Sequence, residues 1–501
     1  MEATATERWG RLATLRQEIL NRTRTLARLT IPALLPPEGA TETTVLYTPF
    51  QSLGARGVNN IASKLLLALF PPGQTFFKMQ IDPKVRLELQ QAQQLDEAMQ
   101  KLAEYEQAVA RKFEVTNFRP TLFETIKHLV VVGNALLHQP KKGMRMFRLD
   151  QYACRRHPDG TAAEVVIKEE VDARSLKPEV RLACKIADDH KECVTLYTVI
   201  EWEDGRECEW QELNGTRVPG SDADRPSEKS EWLPLRWQAV PTSSYGRGLC
   251  EEYMGDLMSL EGLTESMVMF AAAAAKIVYL VHPASTTRWQ DIVKARSGDA
   301  ITGSKGDVDV LQLDKYADFQ VTKALGDELT LRISQAFLLQ SGTVRDAERV
   351  TAEEIRAMAQ ELEDVLGGVY TVQSVELQLP IVRKLIQFMS AANELPALPA
   401  KFVEPVITTG FEALGRNQSV NKLRSWIADV KASDPSMGAS LKWDQINRRL
   451  GVGYGVEDLD QLIKSPDEIA HDAQQAQMAN LLSKAGPGIA TEAMKGAVKN
   501  G

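Results

Sequence analysis

Tyr47-Thr-Pro-Phe-Gln-Ser-Leu-Gly-Ala-Arg-Gly-Val-Asn-Asn-Ile-Ala-Ser-Lys-Leu-Leu-Leu-Ala-Leu-Phe70 is a helix with one face committed to a core. Thr48-Pro49 opens it, and Leu53, Ile61, Leu65 and Leu69 recur at helical spacing. Pro71-Pro72-Gly73 stops it. Moving toward the C-terminus, residues 87–113, rich in Gln, Glu and Ala, read as a second helix. A third covers 119–132 and ends near Gly133. Moving toward the N-terminus, residues 8–29 are Arg-rich and amphipathic like an organelle transit peptide, but Glu2, Glu7 and Glu18 depart from that pattern. The expectation there is a surface helix with Trp9, Leu12, Leu15, Ile19 and Leu26 facing inward.

Residues 134–240 change character. Short runs such as 163–168 and 194–202 are rich in Val, Ile, Tyr and Trp, and turn signals at Pro158-Asp159-Gly160, Asp204-Gly205 and Asn214-Gly215 separate them. The spacing predicts a hairpin of 194–202 and 206–213 around Asp204-Gly205. Helix returns at 248–276, with small side chains at 271–275 that allow close helix approach. Strand-like pieces and turns fill 279–313, helix resumes at 317–339, and a polar loop follows at 340–350. Thr351-Ala-Glu-Glu354 then has capping-box spacing ahead of a long helical pattern reaching Met389, which Gly367-Gly368 and Pro380 should bend. The tail from Ser465 reads as a loosely packed helix with a frayed end. The fold class is therefore α+β, mainly helical.

The chain has 501 residues, a prior of roughly three domains. It carries 59 basic and 67 acidic residues, a net charge of −8, with 44% hydrophobic and 25% charged residues. This excludes a wholly disordered chain, a collagen and a multi-span membrane protein, and argues against a chain that wraps nucleic acid through a basic excess. The most apolar runs, 65–70 and 271–281, fall short of the ~20 residues a bilayer needs. Five scattered cysteines (Cys154, Cys184, Cys193, Cys208 and Cys250) read as reduced thiols rather than a disulfide framework. Cys184, His190 and Cys193 match no zinc spacing.

Gly298-Asp-Ala-Ile-Thr-Gly303-Ser304-Lys305 has the glycine spacing of a P-loop, but Lys must precede the hydroxyl residue to reach the β/γ-phosphates while the hydroxyl holds Mg²⁺. Strand-like residues follow it where a helix is required, so it reads as a turn between strands. Gly451-Val-Gly-Tyr-Gly455 follows a helical pattern, which disfavours a dinucleotide site. No catalytic elbow or zinc-protease motif occurs, and no catalytic residue, cofactor or metal is expected. By composition, Gly342-Thr-Val-Arg345-Asp-Ala-Glu-Arg349 reads as an exposed turn whose arginines pair with Asp346 and Glu348; the rival reading is a loop that touches a polyanion.

The stretch 47–70 closely resembles the head-to-tail connector, or portal, proteins of short-tailed, autographivirus-type bacteriophages. Further matches agree in order and spacing: Thr121-Leu-Phe-Glu-Thr-Ile-Lys-His-Leu-Val-Val-Val-Gly-Asn134, Ser244-Tyr-Gly-Arg-Gly248, Glu251-Glu-Tyr-Met-Gly-Asp-Leu257, Glu348-Arg-Val-Thr-Ala-Glu-Glu-Ile-Arg356, Glu361-Leu-Glu-Asp-Val-Leu-Gly-Gly-Val-Tyr370 and Glu376-Leu-Gln-Leu-Pro380. The resemblance spans roughly residues 30–460; the strand insert and the tail match least.

The resemblance implies a non-enzymatic portal fold with wing, stem, clip and crown, assembled as a homo-oligomeric ring, typically of twelve subunits, at one capsid vertex of the virion. Double-stranded DNA is packaged through its channel and later ejected, without sequence specificity. The implied partners are the terminase large subunit, major capsid and scaffolding proteins, tail adaptor and internal core proteins, with no membrane; assembly takes place in the host bacterial cytoplasm. Carried onto this chain, 1–247 is an N-terminal wing with the strand insert at 134–240, 248–278 the first stem helix, 279–316 the clip and 317–339 the second stem helix. The channel loop is then 340–350, the long wing helix with wing and crown 351–464, and the crown or tail 465–501. Arg345 and Arg349 become the expected DNA-channel contacts, and Lys294, Arg296 and Lys305 the clip contacts to terminase or tail adaptor. A nucleotide-dependent packaging motor component and a non-viral oligomeric scaffold are the alternatives.

Overall fold

The computed structural model describes residues 3–339 except 73–74, 93, 188–191, 275–277, 284 and 312–315, then 368–395, 403–407 and scattered positions between 423 and 450. Two compact units divide the chain, Met1–Gly410 and Phe411–Gly501.

The first unit begins with α1 (Ala5–Leu29), capped by Thr4, whose hydroxyl accepts from Glu7 N–H while the Glu7 carboxylate accepts from Thr4 N–H. This satisfies two of the donors at this end, and the Ala5 and Thr6 N–H groups donate to the Glu212 carboxylate. Leu12, Leu20 and Leu26 face the core. Leu15, expected to face inward, is 73% exposed. The buried place on that face goes to Arg16, whose guanidinium donates to the carbonyls of Leu149, Asp150 and Tyr152. A hydrophobicity pattern does not register a buried guanidinium.

Helix α2 (Leu53–Leu69) buries Val58, Ile61, Leu65 and Leu69. Strand β1 (Phe77–Ile81) follows. The single helix expected over 87–113 is two, α3 (Pro83–Gln91) and α4 (Leu95–Val115). Asp82 caps α3 and Pro83 fits its first turn. The break between them carries no Gly or Pro in its described residues, so composition did not disclose it. Helix α5 (Arg119–Val132) ends as expected at Gly133, whose φ of 77° is the left-handed cap. Gly133 also meets Gly248, where a Cβ would lie 2.7 Å from the Val130 carbonyl oxygen. Asn134 seals this junction: its amide donates to Gly246 O at 2.9 Å and its carbonyl accepts from Gly246 N–H at 2.8 Å.

Two antiparallel sheets make up the insert. The first has order β10–β2–β3, from β2 (Asn134–His138), β3 (Arg145–Phe147) and β10 (Trp232–Arg236). The second runs β4 (Tyr152–Arg156), β5 (Ala162–Asp172), β6 (Cys193–Glu203), β7 (Arg206–Leu213) and β8 (Thr216–Arg217), with β9 (Ala223–Pro226) also on β7. Helix α6 (Pro178–Ala183) lies between β5 and β6. The expected hairpin is present, with Glu203 opposite Arg206 and positive φ at Asp204 (48°) and Gly205 (74°), the backbone of a type I′ turn.

After this come α7 (Leu249–Glu252), α8 (Met254–Ala274), β11 (Val278–Val281), α9 (Trp289–Lys294), β12 (Val308–Leu311) and α10 (Tyr316–Ala336). Beyond the undescribed 340–367, α11 (Gly368–Gln373) passes through a π-helical turn, Ser374–Gln378, into α12 (Leu379–Ala391). Near Pro380, where a bend is expected, the helical backbone carries this π-helical turn just before the proline. Strand β13 (Val403–Ile407) pairs antiparallel with β1. One core joins α1, α2, α4, α5, the three-stranded sheet, α12 and the near ends of α8 and α10. In the second unit, Ile427 and Ile446 are buried and Lys431 Nζ lies 4.5 Å from the Trp443 ring centre.

The five cysteines are free, with Cys154, Cys184 and Cys250 buried. Among the described residues no cluster of His, Cys, Asp and Glu could hold a metal. By length and composition alone, helix α8 is apolar enough to cross a membrane.

Candidate functional site: an exposed helix pair and its tip

Helices α8 and α10 form an antiparallel pair. Tyr253 lies by Phe337, Arg332 binds Asp256 at 2.9 Å, Met267 reaches Gly326, and Phe270 stacks on Phe319 at 5.6 Å. One number rises as the other falls. The hairpin β11–β12 joins the far ends, with Val278 opposite Leu311 and Val281 opposite Val308.

The near end is held firmly. Leu257, Leu260, Leu329, Ile333 and Phe337 are buried. The buried Glu261 carboxylate accepts three bonds from the segment before α2: Tyr47 O–H at 2.6 Å, Phe50 N–H at 2.9 Å and Gln51 N–H at 3.2 Å. Its hydrogen bond raises the Tyr47 phenol above its usual value, and the Arg28 guanidinium stacks 4.2 Å from that ring. The far side of α2 receives the last turn of α10. Asn60 donates to the carbonyls of Phe337 and Leu338 at 2.9 Å each, and buried Lys64 donates to Leu338 O at 3.1 Å. Leu338 sits at φ 53°, and these bonds hold a conformation that a branched residue disfavours. Gly57 is obligatory here, because a Cβ would lie 2.6 Å from Phe337 Cγ.

The far end differs. From Glu265 to Ala274 no α8 residue is buried, and among the described α10 residues before Gly326 none is buried. Met269 is 59% and Val321 71% exposed, with Val268 and Leu325 close to half exposed. The small residues 271–274 are exposed as well. Apolar surface of this kind on two adjacent helices marks an interaction face.

The tip is also exposed. Trp289 (61%) and Val293 (73%) stand one helical turn apart on α9, with Leu280 and Ile301 nearby in sequence. Lys294, Arg296 and Lys305 are all exposed. Asp307 organises the turn: its Oδ2 accepts from Thr287 Oγ1 at 2.9 Å and Ser304 N–H at 3.0 Å. Those bonds hold the Asp307 carboxyl below its usual range. They also answer the P-loop question, because the Ser304 N–H that would cradle a phosphate is already taken, and strand β12 follows where a helix is needed.

Arg345 and Arg349, with the capping box at Thr351 and the tail, lie outside the described residues. Trp289, Val293 and the bare face of α8 and α10 were missed by sequence reasoning. Val and Met at helical spacing mean a buried face in either case, and spacing does not say whose side chains cover it. Glu261 left a signal: a lone acid inside Ser-Leu-Glu-Gly-Leu needs a partner.

A family model for "Bacteriophage head to tail connecting protein" matches residues 2–459. The portal protein of Enterobacteria phage T3 is 38% identical over 510 residues, covering 98% of this chain and 95% of that one. That of Escherichia phage T7 is 36% identical, covering 97% and 93%, and that of Enterobacteria phage SP6 is 32% identical, covering 97% and 96%.

Proposed function

From the premise that the chain belongs to the bacteriophage head-to-tail connecting protein family and is a portal, we propose that it is one subunit of a closed ring, of twelve copies, whose axial channel passes double-stranded DNA into the capsid and out again. The observation that carries this reading is the bare far half of the α8–α10 pair. Met269, Val321, Val268 and Leu325 stay out of the subunit's own core, and a neighbouring copy of the same pair would cover them. Each subunit would present one side of the pair to the next, a head-to-tail interface that closes when the rotation per subunit divides a circle. A membrane would cover α8 equally well but not α10, whose Lys323, Asp327, Glu328 and Arg332 would enter the lipid with it.

In this reading α8 and α10 are the stem and residues 279–316 the clip. The clip would dock the terminase large subunit during packaging and the tail adaptor afterwards, through Trp289 and Val293 together with Lys294, Arg296 and Lys305. Major capsid, scaffolding and internal core proteins would contact the wing, and the particle vertex is the site of action. The terminase supplies the ATPase, so the portal itself needs no nucleotide, in keeping with the turn at Gly298–Lys305.

DNA in transit must be guided without being held. Every phosphate neutralised adds salt-dependent affinity, so a bore lined with cations throughout would stall the duplex. A subunit with net charge −8 and a few basic points suits passage, and phosphate contacts carry no sequence information. Arg345 and Arg349 are the points proposed. With Arg345→Ala and Arg349→Ala together, rings should form normally while DNA-filled heads, counted in a packaging assay, fall. Normal head filling by the double variant would sink the contact.

A further inference from the structure

A cleft of about 810 Å³ opens between the strand insert and α12, away from the helix pair. We propose that it is a docking site for an extended, basic peptide segment of a partner protein.

Gln139 is the first observation. It follows β2, and its backbone N–H is fixed on Glu231 O at 2.8 Å. Gln139 is among the residues that line the cleft, and its buried carboxamide has a hydrogen-bond partner on neither Oε1 nor Nε2 among the described residues. A buried carboxamide left without bonds carries the full desolvation penalty of both its groups. A residue of an extended peptide answers both atoms at once, because its own N–H and C=O point to the same side: the C=O accepts from Nε2 and the N–H donates to Oε1.

The walls fit a peptide as well. Trp202 donates its indole N–H to Glu207 at 2.9 Å and Trp232 donates to Glu209 at 3.1 Å. Trp232 also stacks on His138 at 3.8 Å. With both N–H groups bonded inside the protein, the two indoles offer the cleft apolar ring surface.

The charge around the cleft selects the occupant. Glu203, Asp204 and Glu228 line it, are exposed, and form no ion pair among the described residues. Glu231 is a fourth carboxylate, held ionised by its His138 hydrogen bond and the Arg225 charge. Against them stand two cations. Lys384 already donates to Lys229 O, and burial lowers its pKa to about 8. Arg383 stands exposed on α12. A phosphate or an acidic segment would face the three unpaired carboxylates Glu203, Asp204 and Glu228, whereas a Lys or Arg side chain would pair with them.

The test uses full-length protein and a displayed library of random decapeptides. Selection on the native protein should enrich Lys- and Arg-containing peptides. Those peptides should bind at least tenfold more weakly to Gln139→Leu and to Glu203→Gln with Glu228→Gln, the latter at exposed positions that leave the fold alone. The thermal midpoint of Gln139→Leu should not fall, since the change removes two unpaired polar atoms. No enrichment, enrichment without basic residues, or equal binding to both variants would overturn the proposal, leaving a cleft that holds water.

Discussion

The two halves of the α8–α10 pair are built from similar residues and placed in opposite surroundings. Near α2, Leu260, Ile333 and Phe337 are sealed in the core, and polar groups fix the backbone around them: Glu261 on 47–51, Asn60 and Lys64 on 337–338. Beyond Glu265, Val268, Met269, Val321 and Leu325 are bare. The difference shows that one helix pair can seal its near half in the subunit's own core and leave its far half bare, the half that the proposed ring would cover with a neighbouring copy. The anchored half sets the direction in which the bare half projects.

Charging the bare half should break this comparison most completely. Val268→Glu with Val321→Glu costs the isolated subunit little, because both sites are exposed, but buries charge in any interface. Far-ultraviolet circular dichroism should be unchanged while native mass falls from ring to monomer. Phe337→Ala attacks the other half. Truncating a fully buried phenylalanine costs about 3–5 kcal/mol, so chemical unfolding of the assembled protein should move by that amount, and fold and assembly should fail together.

His128 sharpens the comparison through pH. It lies within the core on α5, its Nδ1 has no partner among the described residues, and burial, with Arg148 and Lys127, lowers its pKa to about 3. An unfolded imidazole binds a proton below about 6.5. Between pH 6.5 and 3 the unfolded chain therefore holds the extra proton, and stability falls as pH falls, by about 1.4 kcal/mol per unit for this one group. His128→Leu should remove that share of the slope in unfolding measured from pH 6.5 to 4, without changing ring mass at pH 7. The smallest effect on stability belongs to the tip. Trp289→Ala with Val293→Ala should leave the unfolding free energy within about 0.5 kcal/mol, as exposed sites do. It should nonetheless reduce tail joining, scored as DNA-filled heads without tails.

Much of this was legible from single residues. Gly133 after an apolar period ended α5 where expected, and Asp204-Gly205 between alternating runs gave the hairpin its turn, since both are local demands on φ. Pro380 stands just after the π-helical turn Ser374–Gln378. Failures came where the cause was not local. Leu15 matched the helical face, but Arg16 took the buried place by reaching three carbonyls in β4 and the loop before it. The split between α3 and α4 had no punctuating residue. At the functional face, helical spacing in α8 and α10 reported apolar surface correctly. It carried no information on whether the cover was intramolecular, which only burial in the folded subunit discloses.

The most direct measurement is electron microscopy of the purified protein with native mass alongside. The bare far half of α8 and α10 should appear as the subunit interface of closed rings, with an axial hole wide enough for a ~20 Å duplex. A monodisperse monomer, with Met269 and Val321 still open to solvent, would contradict the assignment of that face to a second copy.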